Sequence, residues 1–277
     1  MLTLHDIYTD ILAFIYTDKC VICGAHVERG VHRVCMKCRY NLPKTLFPAR
    51  RDNPVKEYFD AHFENVNCSS MFYLKGDNKW KRAIYRSKYA QEWFIARHIG
   101  IVLGQELLDS GLYNDVDVVI PVPLHLFKLI KRGYNQSNYL ADGVASALGV
   151  KIYRNVVYRR VNNPPQAGKM MADRWDNVDE IFAVRKPEKL HGKHVLLVDD
   201  VLTTGATLCS CARAILDAAP TCRISIATAA VAGKLARRSR SSKISLPFYL
   251  SLLLLECFVD NVREATVALC HVERRED

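Results

Sequence analysis

The chain lacks both common glycine-rich nucleotide signatures, G-x-x-x-x-G-K-[ST] and G-x-G-x-x-G, which sets aside a P-loop and a dinucleotide-binding turn. It also lacks a membrane-spanning run: Ile244 to Leu255 carries no charge over twelve residues, but a bilayer span takes about 20. No basic segment precedes the apolar stretch at the start, and Asp6 and Asp10 interrupt it, so a secretory signal is not expected. No internal repeat is visible. Without an export signal the expected compartment is a reducing cytoplasm, where paired cysteines favour metal over disulfides.

What is present is ordinary globular composition, with 49% hydrophobic and 25% charged residues, so wholesale disorder is not expected. The 277 residues are enough for one full-sized domain and something smaller. A formal net charge of +10 suits ligand phosphates, nucleic acid or an anionic membrane surface, and does not choose among them.

Leu4, Ile7, Ile11, Leu12 and Ile15 stand at helical spacing, which predicts a short amphipathic helix over 3–16. Residues 43–65 read as connection. Ile84, Ile95, Ile99, Val102, Leu103 and Leu107 predict helix over 80–108, broken or bent near Tyr89, with a basic first half (Lys79, Lys81, Arg82, Arg86, Lys88). Strands are then expected at Val116–Val122, Ile152–Tyr158, Val195–Val198 and Ile224–Val231, and helices at Tyr134–Leu148 and Ala206–Ala218. Alternating strands and helices indicate a parallel α/β sheet, whose ligands sit at the carboxyl ends of the strands.

The most informative segment is VLLVDDVLTTGAT, Val195 to Thr207. A short apolar strand ends on Asp199 and Asp200, and Thr203-Thr204-Gly205-Ala206-Thr207 leads into a helix. The start of a helix presents backbone N–H groups without intrahelical partners and favours an anion. Gly205 lets the backbone come close, and the three threonine hydroxyls can donate further hydrogen bonds. Like charge bars the carboxylates from phosphate; they suit sugar hydroxyls, directly or through magnesium. Helix capping accounts for one such residue, but not for two acids and three threonines around a glycine.

Earlier in the chain, Val122 and Pro123 close the first core strand, and Arg132, Asn135 and Gln136 in RGYNQ open the next helix. Arg132 can pair with phosphate oxygens, and the two amides can add neutral bonds; a rigid strand exit and a solvated helix start are the plainer reading. The long polar stretch after Arg159 and Arg160, with Gln166, Lys169 and Arg174, is expected as a cationic lid or as a plain surface loop.

Cys20-x-x-Cys23 and Cys35-x-x-Cys38 are separated by eleven residues, a spacing that lets two pairs close on one tetrahedral ion. Four sulfurs leave no open position, so the zinc would be structural, and such sites supply roughly 10–16 kcal/mol in isolated zinc-finger peptides. A redox C-x-x-C needs one pair in a thioredoxin-like context, which this region lacks. His26 and His32 can substitute for a thiolate. The remaining cysteines have no such spacing and are expected to be buried, inert thiols.

VLLVDDVLTTGAT resembles the phosphoribosyl-pyrophosphate loop of type I phosphoribosyltransferases. With the four-cysteine module, PVP…RGYNQ and NNPPQAGKMMADRWDNV, the chain resembles the ComF family of bacterial proteins related to natural DNA uptake, over about residues 1–232. The resemblance implies a type I phosphoribosyltransferase-like parallel sheet with a small N-terminal zinc module. It implies that Asp199 and Asp200 hold the ribose hydroxyls, that Thr203–Thr207 wrap the 5-phosphate, that the loop at Val122 and Pro123 faces the pyrophosphate, and that magnesium accompanies 5-phosphoribosyl-1-pyrophosphate. It further implies contact with incoming single-stranded DNA and the uptake machinery. No residue stands out as a general base.

The expected organisation is a zinc module over 1–50, a helical connection over 51–110, the transferase-like domain over 111–232 and a tail over 233–277. The tail holds five cations in 234–243 before its apolar run, which suits a basic linker with a packed helix, an altered reading frame, or a surface anchor.

Overall fold

The computed structural model describes residues 18–27, 33–76, 78–89, 92–160 and 181–232. The helix expected over 3–16 and the tail over 233–277 lie outside those residues.

A two-stranded antiparallel pair, β1 (Asp18–Lys19) and β2 (His26–Val27), precedes the short helix α1 (Met36–Tyr40). Helix α2 (Pro54–Asp60) starts where Asn53 accepts from the Val55 and Lys56 amides at 3.0 and 3.1 Å. Then come β3 (Cys68–Tyr73), α3 (Lys79–Lys88) and α4 (Trp93–Asp109), the two helices parting after Lys88 as the apolar spacing predicts. The second half runs β4 (Val118–Pro121), α5 (Leu126–Arg132), α6 (Gln136–Leu148), β5 (Lys151–Ile152) and β6 (Val157–Arg159). It ends with β7 (Phe182–Val184), β8 (His194–Leu202), α7 (Ala206–Ala218) and β9 (Arg223–Val231).

Five strands form one parallel sheet in the order β3-β9-β8-β4-β5, the α/β class expected from the alternation. Successive residues of the central strand serve opposite faces. Leu196 and Val198 join the core on the side of α3, α4 and α6, while Val195 and Leu197 join the core on the side of α2 and α7. β6 and β7 pair separately, with Arg159 opposite Phe182 and the Arg160 amide donating to the Ile181 carbonyl at 2.7 Å.

Three departures from the sequence expectation have clear causes. β3 went unseen because Ser69 and Ser70 interrupt its apolar run; both are buried, and their hydroxyls meet Tyr113 at 3.0 Å and Thr228 at 2.5 Å. The segment 51–110, expected as a helical connection, therefore supplies an edge strand of the main sheet. The single strand expected over 152–158 is two strands in different sheets, because Ile152 pairs with Val119 and Val157 with Val184. Finally, β8 does not end at Val198. It continues to Leu202 because β9 keeps pairing with it, Asp199 with Thr228 and Leu202 with Val231.

α4 and α6 cross at backbone contact. A Cβ on Gly100 would lie 2.0 Å from the Leu140 carbonyl oxygen, and one on Gly143 would lie 2.1 Å from that of Arg97. In a free helix Gly→Ala gains about 1 kcal/mol. Here Gly143→Ala should instead cost about 1–3 kcal/mol, because the helices must move apart. Urea unfolding of the variant checks this.

Candidate functional site

The order β3-β9-β8-β4-β5 places a topological switch between β8 and β4, since the chain leaves β4 toward β5 on one side and β8 toward β9 on the other. Their carboxyl ends lie side by side: Pro121 is in register with Val198, and the Val122 amide donates to the Val198 carbonyl at 3.0 Å. β4 stops there, while β8 runs on through Asp199 and Asp200. The start of α6 reaches both acids. Ser137 Oγ donates to Asp199 Oδ1 at 2.9 Å, and Gln136 Nε2 donates to Asp200 Oδ2 at 3.1 Å.

Asp200 also pairs at 2.7 Å with Nζ of Lys88, the last cation of the basic run on α3. Gln136 accepts from Arg132 at 2.8 Å, so Lys88, Asp200, Gln136 and Arg132 form one connected chain of polar contacts. Among the described residues no cation contacts Asp199. Burial, joined by the neighbouring Asp200 carboxylate, pushes its carboxyl up to about 7.

The turn that follows presents Thr203, Thr204 and Thr207 exposed to solvent. Gly205 has φ +78°, which favours glycine, and a Cβ there would lie 2.4 Å from the Tyr58 ring. Tyr58, on α2, donates its hydroxyl to the Thr204 carbonyl at 2.5 Å and so fixes the turn. No motif marked Tyr58 in the sequence. Ala206 is the first residue of α7, and the Gly205 carbonyl accepts the Cys209 amide at 2.9 Å.

The other candidates divide. Asn135 is buried and used by the protein itself: its amide donates to the Val122 carbonyl at 3.0 Å and its Oδ1 accepts from the Ser137 amide at 3.1 Å. That ties the β4 exit to the start of α6 and accounts for an amide expected to meet phosphate. Val122 is buried, and Pro123 follows it at the rim. Arg132 stands over the Tyr89 ring, and the Tyr134 hydroxyl donates to the Ser87 carbonyl at 2.7 Å, joining RGYNQ to the end of α3. Gln166, Lys169 and Arg174 of the expected lid lie outside the described residues.

The sulfurs of Cys20, Cys23, Cys35 and Cys38 lie within 4.8 Å of one another, and the Cys35 amide donates to the Cys20 sulfur at 3.3 Å. Burial opposes ionisation at Cys20, yet backbone hydrogen bonds at Cys35, Cys23 and Ile22 outweigh it and bring the thiol down to about 7, while burial pushes Cys38 up. This donor set fits a closed tetrahedral zinc site, and His26 is not part of it. The module packs on the sheet domain through α3: Trp80 Nε1 donates to the Cys38 carbonyl at 3.1 Å. No helix among the described residues is long and apolar enough to cross a membrane.

The chain is similar to several known proteins. The family model described as "Phosphoribosyl transferase domain" matches residues 131–247. Competence protein F of Haemophilus influenzae is 26% identical over 211 residues, 70% of this chain and 88% of that one. Competence protein ComFC of Bacillus subtilis is 28% identical over 202 residues, 72% of this chain and 71% of that one. The DNA utilization protein YhgH of Salmonella typhimurium is 29% identical over 137 residues, 48% of this chain and 59% of that one. Among solved structures, the glutamine phosphoribosylpyrophosphate amidotransferase of B. subtilis matches with a TM-score of 0.34 and 19% identity, over 48% of this chain and 25% of that one.

Two outcomes follow for the site. Because Asp199's carboxyl is raised in the fold, the folded chain holds a proton that the unfolded chain has released between pH 4 and 7, and this contribution to stability is lost as pH rises through about 7. Asp199→Asn should therefore unfold later than the parent at pH 8, by about 1–3 kcal/mol, with the gap closing at pH 5; denaturant unfolding at the two pH values checks it. For the module, metal analysis should return about one zinc per chain. Cys35→Ser should lose metal and melt several degrees lower, or the zinc assignment is wrong.

Proposed function

We propose that this chain, a member of the ComF family, binds 5-phosphoribosyl-1-pyrophosphate with magnesium where β4 and β8 end, and transfers its phosphoribosyl group. One juxtaposition carries the reading: paired carboxylates and an exposed threonine turn, both at the switch point of a parallel sheet. A ligand that satisfies both must offer hydroxyls at one place and a phosphate at another, and a ribose phosphate does. Asp199 and Asp200 accept the sugar hydroxyls, and Thr203–Thr207 with the first amides of α7 hold the 5-phosphate. The carboxylates are oxygen donors of the kind magnesium takes, and the metal supplies charge neutralisation on the diphosphate.

The chemistry of such a site is displacement at C1 of the ribose. The bond to the pyrophosphate oxygen breaks, pyrophosphate leaves with the electron pair, and a nitrogen nucleophile supplies the pair for the new C–N bond and releases its proton to water or to the departing pyrophosphate. This chain's residues bind and orient: the acids fix the ring, the turn fixes its far end, and Tyr58 keeps the turn in place. The reading puts this chemistry in the cytoplasm, in step with the competence and DNA utilization that the relatives' names print.

A second reading has its own support. α3 carries Lys79, Lys81 and Arg82 besides the ion-paired Arg86 and Lys88, and Tyr85, Tyr89 and Trp93 are exposed on and just after it. Cations interleaved with exposed rings suit single-stranded DNA, and a non-enzymatic accessory role would rest there. Its binding should weaken with log salt at a slope of about −0.7 per phosphate neutralised.

Calorimetric titration with 5-phosphoribosyl-1-pyrophosphate, with and without magnesium, tests the first reading. Binding should be stronger with the metal, and Asp200→Asn should weaken it roughly tenfold, the loss of one charge-assisted hydrogen bond. No heat in either condition would leave the DNA-binding reading.

A further inference from the structure

The ion pair between Lys88 and Asp200 is the least expected contact at the site. An acid proposed to accept a sugar hydroxyl already holds an ammonium at 2.7 Å, and both side chains are largely shielded from water. A shielded carboxylate stripped of its cation is costly, so the pair cannot simply be discarded when a ligand arrives. The ammonium needs another anion within reach of its stem.

We infer that Lys88 is a pyrophosphate-binding residue, and that its ammonium exchanges from Asp200 onto the leaving group as the ribose hydroxyls take the carboxylate. The covalent structure of the ligand makes this possible. In 5-phosphoribosyl-1-pyrophosphate the 2-hydroxyl stands on the carbon next to C1, which carries the pyrophosphate. A cation beside the hydroxyl acceptor is therefore beside the leaving group and far from the 5-phosphate, which belongs at the threonine turn. Lys88 has a flexible four-carbon stem and a compact charge, which suit a move of a few ångströms. Its backbone is held: Tyr134 Oη donates to the Ser87 carbonyl at 2.7 Å, and α3 is tied at its other end to the cysteine module through Trp80. Arg132 lies one amide away through Gln136, so a second cation stands near the same end of the ligand.

The inference rests on the ribose-phosphate reading of the site, and the test separates the two. Binding of 5-phosphoribosyl-1-pyrophosphate and of ribose 5-phosphate, each with magnesium, is measured for the parent, Lys88→Gln and Lys88→Arg. Lys88→Gln should weaken the pyrophosphate ligand on the order of 10- to 100-fold, leave ribose 5-phosphate within about twofold, and be largely rescued by Lys88→Arg. An equal loss for both ligands would mean that Lys88 only positions Asp200, and no loss for either would mean that it touches nothing that matters; both overturn the inference alone. A parent that binds neither ligand overturns the site reading, and this inference with it. Should Lys88→Gln fail to fold, the parent still answers. After reductive ¹³C-methylation, the Lys88 resonance, assigned by its absence in Lys88→Arg, should move with 5-phosphoribosyl-1-pyrophosphate and magnesium to a position that ribose 5-phosphate and magnesium do not reproduce. The same position with both ligands would overturn the inference.

Discussion

Two adjacent carboxylates at the end of a buried strand repel each other and lose hydration together, so neither is tolerated without compensation. The surroundings of Asp199 and Asp200 answer to that constraint. α6 begins with a hydroxyl and an amide that each donate to one of them, and α3 ends with an ammonium on the second. Asn135 sets where α6 begins by bonding the exit of β4. The compensation is unequal: Asp200 has a full positive charge in contact, while Asp199 relies on dipoles and takes its proton up near neutrality.

The placement of the acids depends on strand order rather than on the motif. Were β4 to run as far as β8, its backbone would cover the edge on which the acids sit. Its early departure at Val122 lets side chains from α6 and α3 meet the end of β8.

Much of this could be read from the residues. The alternation of strands and helices, the turn after Asp200, the helix from Ala206 to Ala218 and the convergence of four cysteines all follow from local pattern and spacing. Contacts between segments distant in the chain could not be read. Ser69 and Ser70 look polar until Tyr113 and Thr228 are known to meet them, so β3 was hidden. Lys88 looks like one member of a solvated row until α3 is docked against β8. Tyr58 carries no signature, because its role is to fill the space that Gly205 leaves. In the same way, the apolar segment ending at Val198 gave too short a strand, since two charged residues continue a ladder that only β9 reveals.

The glycine crossing between α4 and α6 bears on how such a site can change over time. Backbones in direct contact leave no slack for sliding or tilting, so the residues at the head of α6 inherit a fixed position from the helix pair beneath them. Drift in ligand preference must then arrive by other routes. Of the elements that reach the acids, α3 comes from outside that seam, and its terminal side chain is where a lineage is freest to try a new partner.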